Sequence, residues 1–566
     1  MVRGKQAGLS TLAALVAITM MLTMLLATDA DAAPDANTPQ QVKWNTCYRD
    51  ISAEMAQMGL NVTYECTSVN VPLDHDRPNG PAMSLALVRL PASDPDVRRG
   101  SVFLNPGGPG GSGVDFALFF GPFAPFVWGP VANQYDIVGF DPRGIARSTP
   151  LRCFGTIDQA VQVFPPVPFP FSQDEVALFE AGGTLLDDQC TQRGNKVLEH
   201  MSTASAARDL DLLRAAVGDE RLNYVGLSYG SYLGQTYANL FPDRVGAFVI
   251  DGVLDPNAWA NVAGEVPFTV ALRSDEGAQE TLDEFVRQCD AAGAGNCALA
   301  PGAQARLDAL LTSLRDEPIL ITDPETGESF PYLYSFAVVD LLVALYNPFG
   351  YAEAAEFFAF LESQADPAAL GAARQAMQRS VGLVNKRGFP NYPNFVEGAV
   401  GVACEDTNSP KSYEEWFAAG KAATEQFGVF GEAWTWALSP CASWSSADAG
   451  VYTGPYDTAT SSPPLVIGNL YDPATRYEGA VTANGLLDDS VLVTVDEPGH
   501  TSLGLNVCAG LLTGRYLADP VDYAELVGNE TCPSEGNWFD KAGGGEPADA
   551  GMQFRTRLME QMAFRP

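Results

Sequence analysis

The order of strand-like and helix-like segments predicts an α/β fold: a mainly parallel sheet flanked by helices, with an inserted, largely helical cap. Three observations carry this. Short runs of β-branched and aromatic residues alternate with helical patterns between residues 98 and 255. From 256 to 395 the alternation stops and apolar residues recur mostly at helical spacing. Strand-like runs then return at residues 464–467 and 491–495. At 566 residues the chain exceeds one ordinary domain, and a core with a large insertion accounts for the excess.

Residues 1–32 read as a signal peptide. Arg3 and Lys5 make a basic start, residues 12–27 form an uncharged apolar run, and Ala30-Asp31-Ala32 supplies a cleavage site before Ala33. The apolar run is shorter than the roughly 20 residues a spanning helix needs, and no cysteine lies near the cut to carry a lipid. The run at 338–346 is interrupted by Asp340. A secreted, extracellular protein with no stable membrane insertion is therefore expected, with residues 33–40 as a short candidate propeptide.

Residues 33–97 form an N-terminal segment with first strands, such as MSLALVRL at 83–90. The first part of the core spans 98–255. A buried-strand pattern at 100–104 runs into the glycine-rich loop Asn105 to Gly113, and YDIVGF at 135–140 runs into Asp141-Pro142-Arg143-Gly144. A helix is expected over 205–217, stopped by Gly218. The elbow strand and its helix follow, then a strand at 246–250. Helical patterns at 305–314 and 351–363 belong to the cap, 256–395. The second part of the core is placed at 396–535 and a tail, with Gly543 to Gly545 as loop, at 536–566. No internal repeat is visible.

Composition is that of a globular protein, with 46% hydrophobic and 18% charged residues. A net charge of −36 argues against nucleic-acid binding, which needs a basic face. It describes a solvated surface, with some preference for substrates carrying a positive end. Ten cysteines in an exported chain point to disulfides. Pairing neighbours in sequence (47–66, 153–190, 289–297, 404–441, 508–532) is the simplest arrangement. No C-x-x-C pair exists and only three histidines are available, so no metal and no cofactor is expected.

The chemistry centres on Gly226-Leu227-Ser228-Tyr229-Gly230, a G-x-S-x-G strand-to-helix turn that lifts a serine hydroxyl into the open. Alone it is weak, in a chain with 54 glycines. A serine needs a base, and a carboxylate to hold that base. His75 reads as a solvated loop residue and His200 as a packing or capping one. His500 leaves the strand 491–495, where this architecture delivers its base. Asp472 lies between serine and histidine in the required order, 28 positions before His500. Asp488, Asp489 and Asp496 are rivals, and capping of the next helix is the structural alternative for Asp472. Oxyanion donors are expected from the backbone N–H of Tyr229 and from the glycine-rich loop, with Gly108 first and Gly107 second. That loop lacks the G-x-x-x-x-G-K-[ST] spacing of a nucleotide cradle. Glu405 and Asp406 are candidates to hold a substrate ammonium, against a structural reading of both.

Pro106-Gly107-Gly108-Pro109-Gly110 resembles the His-Gly-Gly-Pro-Gly loop of prolyl aminopeptidases in the α/β-hydrolase superfamily, and Asp141-Pro142-Arg143-Gly144 with Ser148 resembles their Asp-x-Arg-Gly segment. Ala207-Arg208-Asp209-Leu210-Asp211, the Ser228 elbow, Asp251-Gly252-Val253 and Asp472-Pro473-Ala474-Thr475 are similar to the secreted tripeptidyl aminopeptidases of actinomycetes. The resemblance spans about residues 40–535. It implies an α/β-hydrolase fold, Ser228, Asp472 and His500 as the triad, and release of short peptides from a free N-terminus. Pro106 replaces the loop histidine, which moves the chain away from the prolyl branch, and Arg476 stands where the family often has proline. A monomeric serine exopeptidase acting on peptides is the leading reading. A carboxylesterase acting on small esters is the alternative, and a non-catalytic scaffold the third.

Overall fold

The computed structural model describes residues 42–364, 366–380 and 394–542. The expected leader (1–32), the candidate propeptide (33–40) and the glycine loop at 543–545 lie outside the described residues. Twelve strands are found there: β1 Asn45–Cys47, β2 Tyr64–Pro72, β3 Ala82–Leu90, β4 Gly100–Asn105, β5 Tyr135–Phe140, β6 Leu222–Leu227, β7 Val245–Asp251, β8 Ile319–Thr322, β9 Ser329–Tyr332, β10 Leu465–Tyr471, β11 Val491–Pro498 and β12 Glu530–Cys532. Ten of them form one sheet in the order β1-β2-β3-β5-β4-β6-β7-β10-β11-β12. Pairing is antiparallel from β1 to β5 and parallel from β5 through β12.

The central strands are apolar throughout because both faces are covered. Every residue of β4, β5 and β7 is buried. Alternate side chains feed two cores. Val102, Leu104, Val225, Leu227, Val249 and Ile467 pack on one face with helices Gly113–Phe120 and Val507–Ala518. Phe103, Tyr224, Phe248, Ile250 and Val466 pack on the other with helices Thr203–Val217 and Tyr229–Leu240. The helix expected at 205–217 runs over Thr203–Val217, capped by the Ser202 side chain and ended by Gly218 at φ 90°.

The helical region begins after β7 and includes Ser274–Ala292, Ala303–Asp316, Tyr334–Leu345, Tyr351–Glu362 and Pro367–Ser380. One feature differs from the helical pattern expected: the hairpin β8–β9 sits inside it. Helices Phe395–Asp406, Tyr413–Phe427 and Gly431–Trp436 follow, and the sheet resumes at β10, where the strand-like run 464–467 returns. Two glycines weaken the helical pattern of Phe395–Asp406, but both sit at close contacts. A Cβ on Gly398 would lie 2.8 Å from Ile145 Cδ1, and one on Gly401 would lie 3.3 Å from Leu151 Cδ2. Tertiary packing overrides propensity there.

All five disulfides join sequence neighbours: Cys47–Cys66, Cys153–Cys190, Cys289–Cys297, Cys404–Cys441 and Cys508–Cys532. His75 is not the solvated loop residue expected. Its side chain is 14% exposed, and its Nε2 lies 2.9 Å from Asp209 Oδ1 and 3.0 Å from Arg143. Arg143 makes a bidentate pair with Asp209 at 2.7 Å on both sides and donates to the carbonyls of Pro72, Leu73 and His200. The Asp-Pro-Arg-Gly and Arg-Asp-Leu-Asp motifs therefore meet as one buried brace.

Candidate active site

The loops after β4, β6, β7, β10 and β11 all leave the C-terminal edge of the parallel strands, where α/β sheets place their sites. Ser228 stands between β6 and helix Tyr229–Leu240 at φ 55°, ψ −126°, a conformation that disfavours any residue with a Cβ. The flanking glycines permit it: a Cβ on Gly226 would lie 2.4 Å from the Gly230 carbonyl oxygen, and one on Gly230 would lie 2.8 Å from that of Asn105. Ser228 N–H donates to the Asp251 carbonyl at 2.9 Å.

Asp472 and His500 are joined. His500 Nδ1 lies 2.9 Å from Asp472 Oδ1 and 3.1 Å from Oδ2. Asp472 is 1% exposed. It also accepts from the N–H groups of Ala474, Thr475 and Thr501 and from the Thr475 hydroxyl. Burial opposes its charge, but His500 and these donors outweigh burial and hold the carboxyl below the usual range. The capping alternative is present too, since Asp472 closes the 472–475 turn. Asp488, Asp489 and Asp496 are not the histidine's partners. Arg476 pairs with Glu276 at 2.6 Å, tethering this loop to helix Ser274–Ala292.

The glycine-rich loop lies against the elbow. A Cβ on Gly107 would lie 2.4 Å from Leu227 O, 2.9 Å from Ser228 Cβ and 2.9 Å from Tyr229 N. Gly107 and Gly108 have φ 92° and 112°, open to glycine. Gly107 N–H donates to Asn105 Oδ1 at 2.9 Å. Its close approach serves packing, and its own N–H is already taken by Asn105.

Glu405 and Asp406 are both buried, on different partners. Asp406 accepts from Thr203 N–H at 2.7 Å, from the Thr203 hydroxyl at 2.5 Å and from Trp259 Nε1 at 3.4 Å. Thr203 is in turn hydrogen-bonded to the Tyr229 hydroxyl, so Asp406 reaches the residue after the nucleophile. Glu405 accepts from Trp444 Nε1 at 3.2 Å. Burial pushes both carboxyls up to about 7.

Three groups that hold His500 escape sequence reasoning. Asn469 Nδ2 donates to the carbonyls of Gly499 (2.9 Å) and Thr501 (2.8 Å), gripping the backbone on either side of the histidine. A register shift in β10 between Asn469 and Tyr471 accompanies this. Tyr346, at the end of helix Tyr334–Leu345, accepts the His500 backbone N–H on its carbonyl at 2.9 Å and packs its ring edge-on to the imidazole at 5.1 Å. Asp251 ends β7 and hydrogen-bonds the turn after His500. Asp251 was marked by the Asp251-Gly252-Val253 motif, though without a role, and Asn469 only by its position near a strand end; nothing local marks Tyr346.

Fold and geometry together define a serine hydrolase of the α/β-hydrolase superfamily. The alpha/beta hydrolase fold family matches residues 100–286, and the TAP-like protein family matches residues 425–524. The serine protease Hip1 of Mycobacterium tuberculosis (strain ATCC 25618 / H37Rv) is 31% identical over 512 residues, covering 88% of this chain and 90% of that protein. The tripeptidyl aminopeptidase of Streptomyces lividans is 30% identical over 501 residues, covering 85% and 86%. Carboxylesterase B of the same M. tuberculosis strain is 29% identical over 491 residues, covering 85% and 88%. The chain belongs to the tripeptidyl aminopeptidase-like family of α/β-hydrolase serine hydrolases.

Proposed function

We propose that this chain is a secreted, monomeric serine exopeptidase that removes short peptides, chiefly tripeptides, from free N-termini through an acyl-enzyme. The observation that carries it is the Asp472–His500 hydrogen bond of 2.9 Å in a loop tied to the Ser228 elbow. Ser228 Oγ attacks the scissile carbonyl while His500 Nε2 takes its proton. The C–N bond then breaks, and the proton passes to the leaving amine. Water repeats the sequence on the ester, releasing the peptide and restoring Ser228. Asp472 keeps the proton of His500 on Nδ1 and stabilises the imidazolium. Backbone N–H groups of Tyr229 and Gly108 face the oxyanion. Peptidases among the relatives support the reaction, and five disulfides support an oxidising, extracellular setting.

Glu405 and Asp406 are the proposed ammonium partners. Carboxyls pushed up to about 7 by burial become anionic once a cation arrives, which rewards a charged N-terminus. Glu405→Gln should raise KM for free-amine substrates and leave N-acylated ones unchanged; equal effects on both would remove the assignment.

The test of the whole reading compares peptide-nitroanilides with free and blocked amines against short acyl esters. Turnover of free-amine peptides with release of intact tripeptides, read by mass spectrometry, is expected. Turnover of esters alone would establish the carboxylesterase alternative, which the carboxylesterase B relative favours. Wild-type enzyme should react with a fluorophosphonate and Ser228→Ala should not.

A further inference from the structure

Asp251 is a carboxylate that the proposed chemistry leaves without a task, yet it lies between the two halves of the site. It ends β7, which is flanked in the sheet by β6, leading to Ser228, and by β10, leading to Asp472. It is 2% exposed. Among the described residues no arginine, lysine or histidine bonds it, and its partners there are all neutral. Oδ1 accepts from Ser502 N–H at 2.9 Å, and Oδ2 from Ser502 N–H at 3.0 Å, the Ser502 hydroxyl at 2.9 Å and Leu503 N–H at 3.0 Å. Its own carbonyl accepts Ser228 N–H at 2.9 Å. One residue thus touches the nucleophile's backbone and the turn that follows His500.

The surrounding turn is built for the same contact. Gly252 has φ 63°, and a Cβ there would lie 2.7 Å from Thr501 Cγ2, 3.0 Å from Thr475 Oγ1 and 3.5 Å from Asp472 Oδ2. Gly252 N–H donates to Ile467 O at 3.1 Å. Leu254 N–H donates to the hydroxyl of Ser231, one turn into the elbow helix. A buried carboxylate without a cation is costly. Burial, with the Asp472 charge adding to it against the Ser502 and Leu503 donors, pushes Asp251 up to about 6. An apolar side chain would fill the space without that cost but would leave three donors unpaired.

We infer that Asp251 is a positioning residue: it holds the Ser502–Leu503 turn against the Ser228 elbow and so keeps the His500 imidazole aligned between Asp472 and Ser228. This rests on the proposed roles of those three residues. Thr501 shows why such a hold is needed. It is β-branched and sits at φ 65°, a conformation that relaxes unless its neighbours over-determine it.

The experiment measures the fluorophosphonate labelling rate, kcat and KM for wild type, Asp251→Asn, Ser502→Ala and the double variant. It also follows the low-field proton resonance of the histidine Nδ1–H bonded to carboxylate. The amide of Asp251→Asn keeps one acceptor and turns an N–H toward donors. Labelling and kcat should fall together by 10-fold or more, with KM changed less than about 2-fold. The low-field resonance should shift or broaden although Asp472 is intact. Ser502→Ala should lower kcat by a few-fold, and its effect should shrink in the Asp251→Asn background. Wild-type labelling and resonance in Asp251→Asn would overturn the inference, as would a change confined to KM. Should Asp251→Asn fail to fold, wild-type kcat in Ser502→Ala would overturn it instead. A wild-type enzyme that does not label at all would instead defeat the hydrolase reading beneath it.

Discussion

Ser228 at φ 55° and Thr501 at φ 65° are two backbone positions that a free chain would avoid, and they lie on either side of the proposed chemistry. Their surroundings hold them: Gly107 and Gly226 press on the elbow, while Asn469 and Asp472 grip the histidine loop. Gly107 is the most exacting of these. Gly107→Ala would place a Cβ 2.9 Å from Tyr229 N and 2.4 Å from Leu227 O, at a φ of 92° that alanine resists. The loop must withdraw from the elbow, and kcat should fall by about 10²–10³-fold, the usual cost of losing an oxyanion donor. Steady-state kinetics with titrated active sites would check it; an alanine variant of wild-type kcat would separate this loop from the oxyanion site.

At the scale of elements, the loops of the site are braced from outside the sheet. Arg143 is 1% exposed and bidentate to Asp209, joining the loop after β5 to helix Thr203–Val217, whose first residue also reaches Tyr229 and Asp406. Removing one partner of such a pair leaves a buried charge uncompensated. Arg143→Gln should therefore lower stability by about 3–5 kcal/mol, read as a shift of the denaturant midpoint. A second brace is the helical insertion. Ser274 donates to the Ala474 carbonyl at 2.6 Å, Arg476 pairs with Glu276, and Tyr346 contacts His500. Tyr346→Ala keeps the backbone acceptor and loses the ring contact, so kcat should fall roughly 10-fold, and the denaturant midpoint should fall as well because the ring packs against the core. The same loss on N-acylated and free-amine substrates would show that the ring serves the base rather than the amine.

Across the whole molecule, buried carboxylates set the response to pH. Asp141 and Asp251 are pushed up to about 6, and Glu405 and Asp406 to about 7, each chiefly by burial. Unfolded carboxyls titrate near 4, so the folded state binds these protons more tightly. That stabilisation is complete below about pH 4 and is lost as pH rises through about 6–7. Asp209 and Asp472 act oppositely: burial disfavours their charge, but Arg143 and His500 respectively prevail and lower them. Their contribution is present above about pH 4 and lost on further acidification. With a net charge of −36 also relieved by protonation, the melting temperature should climb from pH 8 toward about pH 5 and drop below about pH 4. A melting temperature that is flat or rising between pH 5 and 8 would contradict the burial argument.

The sequence by itself determined the features that are local or ordered along the chain. The elbow glycines, the strands at 100–104, 135–140 and 491–495 and the neighbour-paired cysteines are all short-range patterns, because turn geometry and loop closure act over few residues. Only the tertiary structure decided what holds His500. Ser502 is 251 positions from Asp251, and Tyr346 is 154 positions before His500, so no spacing rule connects them. Tertiary contacts likewise decided that His75 is packed against the Arg143–Asp209 ion pair, where packing against distant residues outweighed what the neighbouring residues alone suggested.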